Sequence, residues 1–174
     1  MTTPSIDTVA TGTREREDLL ETLAKHRGFL RYTVRNLSDE QATRRTTVSE
    51  LTLAALIKHV AIVEQNWTTF ILEGPPTREE MSADEWVQAW QIQPGETLAV
   101  LLERYDNIAA RTDRVVRELP SLDADHPLPA APWFEPGARW SARRVLLHII
   151  AETAQHAGHA DIIRESLDGQ KTMG

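Results

Sequence analysis

The stretch 141–169 carries the residues in this sequence that are best suited to chemistry, namely His148, Glu152, His156 and His159. At roughly 100° of rotation per residue in an α-helix, these four positions fall within about 80° of one another and share one face. A valine and two isoleucines lie on or beside the same face. We therefore expect the four polar side chains to point toward a protein core rather than toward water.

Burying these groups is unfavourable unless they find partners. An ionised glutamate moved into an apolar interior loses several kcal/mol of solvation, and a divalent metal ion would satisfy the carboxylate and the imidazoles together. Glu152 and His156 could bind one ion at about 2.0 to 2.2 Å, and a third ligand from another helix would leave a coordination position open for chemistry. A hydrogen-bonded polar cluster without metal is the alternative, and the spacing leaves both open.

The composition limits the possible classes of function. The 174 residues fit a single domain, 1–174, whose ends at 1–12 and 170–174 we expect to be flexible. The sequence contains no run of about 18 apolar residues, the length needed to span a membrane, and its N-terminus lacks a signal-peptide layout. We therefore expect a cytoplasmic protein. The net charge of −7, with arginines interspersed among acids, argues against nucleic-acid binding.

Cysteine is absent from the chain. The protein therefore has no disulfide, no thiolate metal ligand and no thiol nucleophile of its own. If it performs sulfur chemistry, the thiol must belong to a small molecule.

Four long helices are predicted from apolar residues spaced three and four positions apart, at about 14–37, 52–73, 97–119 and 141–169. A shorter helix or turn is expected at 82–91, where Trp86 and Trp90 lie one turn apart. The connection after the first helix reads as polar and irregular. Because the sequence shows no convincing alternating strand pattern and no repeat, it predicts an all-α, up-and-down four-helix bundle.

A long connection at 120–140 precedes the last helix and holds five of the nine prolines. A loop of about 20 residues is more often functional or strand-like than idle. Its Trp133 and Phe134 could cover a pocket, or they could pin the loop onto the bundle.

His59 lies on the flank of the apolar face of the second helix. Taken alone, it is typical of a histidine at the edge of a core. As a third ligand beside Glu152 and His156, it has suitable chemistry on a facing helix of a bundle. A di-iron site is not expected, because that site needs Glu-x-x-His on two helices and two further glutamates, whereas this chain has one Glu-x-x-x-His.

Two motifs resemble the DUF664 branch of the DinB superfamily of four-helix-bundle metalloproteins: LIKHVAIVEQNW in the second helix and RWSARRVLLHIIAETAQHAGHADIIRE in the last. The resemblance covers nearly the whole chain and implies a DinB-like bundle. It implies a metal triad that His59, Glu152 and His156 match. The form with glutamate resembles relatives of mycothiol-dependent maleylpyruvate isomerase, whereas an all-histidine triad is more typical of proteins similar to bacillithiol transferases.

The resemblance also implies one divalent cation, zinc or nickel, and a mycothiol-like thiol as cosubstrate in transfer or isomerisation. A thiol bound to such a metal is deprotonated at neutral pH, so no protein cysteine is needed. His159 matches a polar position beside the triad and is the candidate catalytic residue, as a proton carrier, a partner of a ligand or a substitute ligand. Trp67 and Trp133 are the candidate cofactor-binding residues, and His148 is assigned a structural role.

Two other classes of protein remain open at this point. One is a metal-binding bundle that acts as a hydrolase or a stress-related binding protein without thiol chemistry, and the other is a structural helical dimer whose histidines form hydrogen bonds. The expected partner is a small-molecule substrate, with no nucleic acid and no membrane. A homodimer is expected because small bundles often leave an apolar helix face uncovered.

Overall fold

A computed structural model describes residues 8–76 and 90–172 of the chain. Within these residues the elements are α1 (Thr8–Thr33), α2 (Asp39–Thr43), α3 (Leu53–Glu73), α4 (Leu98–Glu118), β1 (Asp125–Pro127), β2 (Arg139–Ser141) and α5 (Ala142–Asp168). The four long helices confirm the predicted all-α bundle. None of the described helices is long and apolar enough to cross a membrane.

Side-chain caps fix where the helices begin. Thr52, Thr97 and Ser141 precede α3, α4 and α5, and each side-chain oxygen accepts a hydrogen bond from the backbone N–H three residues later. Gly74 and Gly169 follow α3 and α5 with positive φ angles of 80° and 78°, where a residue with a Cβ would be strained. The bounds predicted for these three helices are therefore right to within one residue.

The first helix and its connection differ from the prediction. Helix α1 begins at Thr8 rather than near residue 14, and it ends at Thr33 because the chain then turns through Asn36, whose φ is 58°. The polar connection contains the short helix α2, since Ser38 and Gln41 form a reciprocal capping box that stabilises its first turn. Most of the helix or turn predicted at 82–91, including Trp86, lies outside the described residues.

The loop at 120–140 contains a small hairpin that the apolar pattern did not reveal. Strands β1 and β2 pair antiparallel, with His126 opposite Trp140. Each strand has only three residues, which is too short for an alternating pattern to be visible. The hairpin leads directly into α5 and so determines where Trp140 lies relative to that helix.

A layer of polar side chains divides the core of the bundle. Helix α1 packs mainly on α5, and α3 packs on both α4 and α5. Buried apolar residues form two clusters, one around Leu30 and Leu56 and the other around Leu23 and Val145. Between these clusters along the helices lie buried polar residues: Arg27, Glu64, Thr68, Thr112 and Thr153.

The polar layer is internally paired. The Arg27 guanidinium donates to both carboxylate oxygens of Glu64, with Nη2–Oε1 at 2.5 Å and Nε–Oε2 at 3.1 Å. It also reaches Asp113 at 2.8 Å, and the hydroxyl groups of Thr68 and Thr112 lie 2.9 Å apart. Because a buried carboxylate without a partner is strongly unfavourable, the bidentate pair allows Glu64 to be completely buried.

Candidate metal site

Three side chains from two helices converge at the packed interface of α3 and α5. Glu152 Oε2 lies 4.0 Å from His59 Nε2 and 3.6 Å from His156 Nε2. One ligand atom from each of the three residues lies within 4.8 Å of the other two. The structure thus brings together the three residues predicted as metal ligands, and we call His59, Glu152 and His156 the triad.

The triad has the donor set and spacing of a mononuclear metal site. Ligands at about 2.0 to 2.2 Å from a tetrahedral zinc ion are separated from one another by roughly 3.3 to 3.6 Å. The Glu152–His156 separation of 3.6 Å already falls in this range, and the triad atoms, all within 4.8 Å of one another, exceed it by at most about an ångström, which side-chain rotation can close. Among the described residues no lysine or arginine pairs with Glu152, and its neighbours are three histidines. A carboxylate surrounded by imidazoles is suited to binding a divalent cation.

Burial keeps the triad imidazoles uncharged. Desolvation, with a further contribution from His156, lowers the pKa of His59 to about 4. Desolvation also lowers the pKa of His156, although the nearby Glu152 carboxylate opposes the shift. Both rings are therefore neutral at pH 7, and a neutral imidazole is the form that binds a metal ion.

The ring of Trp90 covers His59. The two rings stack with centroids 3.8 Å apart and an interplanar angle of 15°. Lys58, the residue before His59, donates to the carbonyl oxygen of Gln91 at 2.7 Å and to Glu96 Oε2 at 2.7 Å. Helix α3 therefore supplies the candidate ligand His59 and, one residue earlier, the cation that holds the segment carrying Trp90 against it.

His159 lies behind His156, on the side away from the carboxylate. The Nδ1 atoms of the two rings are 3.3 Å apart, whereas His156 Nε2 faces Glu152. The helical spacing of three residues places both rings on one face of α5. Of the three roles considered for His159, this contact favours that of a partner of the candidate ligand His156.

On the other side of Glu152 lies a group of rings that we call the aromatic wall, consisting of Trp67, Trp140 and His148. His148 Nε2 is 4.0 Å from Glu152 Oε1. The two indoles stack with centroids 4.9 Å apart, and His148 meets both of them edge-on. Burial lowers the pKa of His148, opposed by Glu152 and reinforced by Arg144.

Trp133 lies farther out, at the surface. Its side chain is 67% exposed and touches Phe134, which in turn packs edge-on against Trp140. Trp67 is thus part of the wall beside the triad, whereas the ring contacts of the described residues join Trp133 to that wall through Phe134.

Two charged residues of the site escaped sequence reasoning. Lys58 sits next to the predicted ligand His59, but nothing local indicates that its partners lie some 35 positions away. Arg144 had a visible signal, because it continues the four-residue spacing of His148, Glu152 and His156 by one more step toward the N-terminus.

Comparison with known proteins identifies the family and the fold of the chain. A family model described as Mycothiol-S-transferase matches residues 18–169, most of the chain. Among solved structures, one titled "Crystal structure of the conserved protein of locus from Enterococcus faecalis" is similar, with a TM-score of 0.59 and 14% sequence identity over 95% of this chain and 100% of that chain. That likeness shows a shared fold. The comparison with curated proteins gave no match. The extent of the family match shows that the chain belongs to the mycothiol-S-transferase family, within the DinB-like superfamily.

Proposed function

We propose that the protein is a metal-dependent transferase that uses mycothiol, or a thiol of the same low-molecular-weight class, as cosubstrate. Zinc or nickel is the expected ion, with His59, Glu152 and His156 as its ligands. The observation that carries the proposal is the convergence of these three side chains from two helices in a member of this family. The absence of cysteine agrees with it, because the reacting sulfur must then come from a small molecule.

The three triad residues would contribute differently to such a site. A divalent ion bound there would lower the pKa of a thiol that coordinates it. His59 and His156 offer neutral nitrogens, and Glu152 offers the one negative charge. The Glu152 side chain is 28% exposed, compared with 12% and 11% for the two histidines, so small molecules approach from the carboxylate side.

We propose supporting roles for three further residues. His159 holds the Nδ1 side of His156 and so keeps Nε2 directed toward the triad. Trp67 offers a flat apolar surface beside Glu152 for the body of a substrate. Trp133, at the outer end of the chain of aromatic contacts, is positioned to touch only a substrate that extends as far as the loop.

The test combines metal content with transfer activity. Untagged wild-type protein should contain about one zinc or nickel per chain and transfer the thiol to an electrophile such as a chloronitrobenzene. His59→Ala and His156→Ala should each lose both properties. His26→Ala is the matched control, because His26 is a half-buried histidine that packs on Phe29 of α1 and lies outside the triad. Metal binding without thiol transfer, together with hydrolysis of an ester, would favour a hydrolase instead, whereas full activity in His156→Ala would refute the site.

The homodimer predicted from the sequence stays a prediction. Light scattering on the purified chain would test it, and a mass near 19.6 kDa would contradict it.

A further inference from the structure

Arg144 is a cation without an acidic partner beside the candidate site. Its guanidinium carbon lies 4.2 Å from the centroid of the Trp140 ring. Among the described residues no aspartate or glutamate forms an ion pair with it, and its side chain is exposed. Its neighbour Arg143 shows the contrast, because that residue binds both Glu15 and Asp123.

Arg144 does not stabilise the helix in which it lies. Arg144 lies in the first turn of α5, where a cation is opposed by the helix macrodipole, and that turn contains no acidic residue to compensate. The contact with Trp140 holds the guanidinium against one face of the aromatic wall. The exposed guanidinium forms no hydrogen bond with the described residues, so its N–H donors remain available to a ligand.

The position of Arg144 relates it to the triad. Arg144, His148, Glu152 and His156 follow one another at intervals of four residues and form one ridge along α5. Eight residues separate Arg144 from Glu152, which corresponds to roughly 12 Å along the helix axis. Side-chain contacts connect the two residues: Arg144 lies over Trp140, Trp140 meets His148, and His148 lies near Glu152.

We propose that Arg144 and the aromatic wall form a subsite for an aromatic or other flat substrate that carries a carboxylate. The flat part of the substrate lies along the aromatic wall, the carboxylate pairs with the guanidinium, and the reacting end of the molecule points along the ridge toward Glu152. A ligand that makes both contacts must be elongated, since it spans much of the distance between Arg144 and the triad. This inference rests on the proposed function for the reaction that follows binding, but the binding itself does not depend on it.

A single available cation favours a carboxylate over a phosphate. The planar guanidinium matches the two oxygens of a carboxylate in a bidentate pair. A phosphate dianion would call for a second positive charge, yet the adjacent Arg143 is already neutralised by two carboxylates.

Tryptophan fluorescence provides a direct test, because Trp67 and Trp140 belong to the subsite and nitroaromatic compounds quench indole emission. The probes are 4-nitrobenzoate, the neutral isostere 4-nitrobenzamide and 4-nitrophenyl phosphate, each titrated without thiol. We expect wild type to bind the carboxylate about five- to tenfold more tightly than the amide. Arg144→Gln should abolish that preference, and Arg144→Lys should retain part of it. Each titration is repeated after treatment with a chelator, so that a carboxylate bound to metal is not mistaken for one bound to Arg144.

Arg45→Gln is the matched control, since Arg45 is an exposed arginine that pairs with Glu50. It lies far from the subsite, because the adjacent Thr46 donates a hydrogen bond to the carbonyl of Ile163 near the other end of α5. Equal affinities of wild type for the carboxylate and the amide would overturn the proposal. So would a preference that survives in Arg144→Gln, or tighter binding of the phosphate than of the carboxylate. If thiol transfer is not found at all, the proposed function fails, while the preference in the metal-free protein still decides this subsite independently.

Discussion

His156 uses its two ring nitrogens for different purposes. Nε2 faces the carboxylate of Glu152, and Nδ1 faces Nδ1 of His159. A ring held at both edges has little rotational freedom, so it presents one nitrogen in a fixed direction. The sequence spacing alone left three roles open for His159, and the contact with Nδ1 of His156 favours that of a positioning residue.

Two substitutions of His159 distinguish a role in positioning His156 from a role in proton transfer. We expect His159→Ala to weaken zinc binding about 10- to 100-fold, as measured by competition with a chelating indicator, because His156 loses the partner of Nδ1. His159→Asn should recover most of the affinity and most of the transfer rate, since the asparagine side-chain amide places a polar atom near the position of Nδ1. Normal zinc affinity in His159→Asn with a strongly reduced transfer rate would instead make His159 a proton carrier.

Helix α3 and the segment that precedes α4 form one unit around His59. The ion pair of Lys58 with Glu96 and the hydrogen bond of Lys58 to Gln91 join α3 to two positions in the segment that precedes α4. Trp90, immediately before Gln91, is thereby kept stacked on His59. The stacking of Trp90 on the candidate ligand His59 therefore depends on an electrostatic contact of the neighbouring residue, Lys58.

The ion pair of Lys58 with Glu96 predicts that the stability of the fold depends on pH. Partial burial would raise the pKa of Glu96, but the Lys58 ammonium and the Gln93 backbone N–H outweigh it and hold that pKa below its usual value. A carboxyl whose pKa is lower in the folded than in the unfolded state stabilises the fold above the unfolded pKa, and this stabilisation is lost as the pH falls through the folded pKa.

We therefore expect Glu96→Gln to lower the free energy of unfolding by about 1 kcal/mol at pH 7. The difference from wild type should be smaller at about pH 3 than at pH 7, because protonation of Glu96 as the pH falls through its lowered pKa removes the ion pair from the wild type as well. Urea unfolding at both pH values measures this, and Glu118→Gln, which changes an exposed glutamate at the end of α4, is the control. A difference that stays constant or grows on acidification would contradict the assignment.

Long elements were predictable from the sequence, and pairings between distant elements were not. The caps at Thr52, Thr97 and Ser141 and the glycine after α5 are local signals, so three helices were placed to within one residue. The hairpin was missed because strands of three residues have no visible period. The residues alone offered His59 as a possible third ligand or as a core-edge histidine, because its place on the flank of an apolar stripe is typical of both, and the family resemblance favoured the ligand.

The buried ion pair of Glu64 and Arg27 was likewise only partly predictable from the sequence. Glu64 occupies an apolar stripe of α3, and a charged residue at such a position signals a buried partner. Nothing in the sequence shows that the partner is Arg27 of α1, because that pairing follows from how the bundle assembles.

The triad links two helices of the bundle through their side chains. His59 belongs to α3, whereas Glu152 and His156 belong to α5, and these two helices also pack directly on each other. An ion bound by the three residues would cross-link the helices in the folded state only, because the unfolded chain does not bring the ligands together. Metal binding should therefore stabilise the whole fold rather than a local segment.

Thermal unfolding of metal-free protein measures this coupling. At a free zinc concentration of about 100 times the Kd, ligand binding contributes about 2.7 kcal/mol of stability. For a chain of this size, that corresponds to a rise in Tm of roughly 5 to 10 °C, which a chelator should reverse. His156→Ala should show little or no rise under the same conditions, whereas His26→Ala should match wild type. An equal rise in wild type and His156→Ala would mean that the stabilising ion binds elsewhere, and the triad would then have to be abandoned as the metal site.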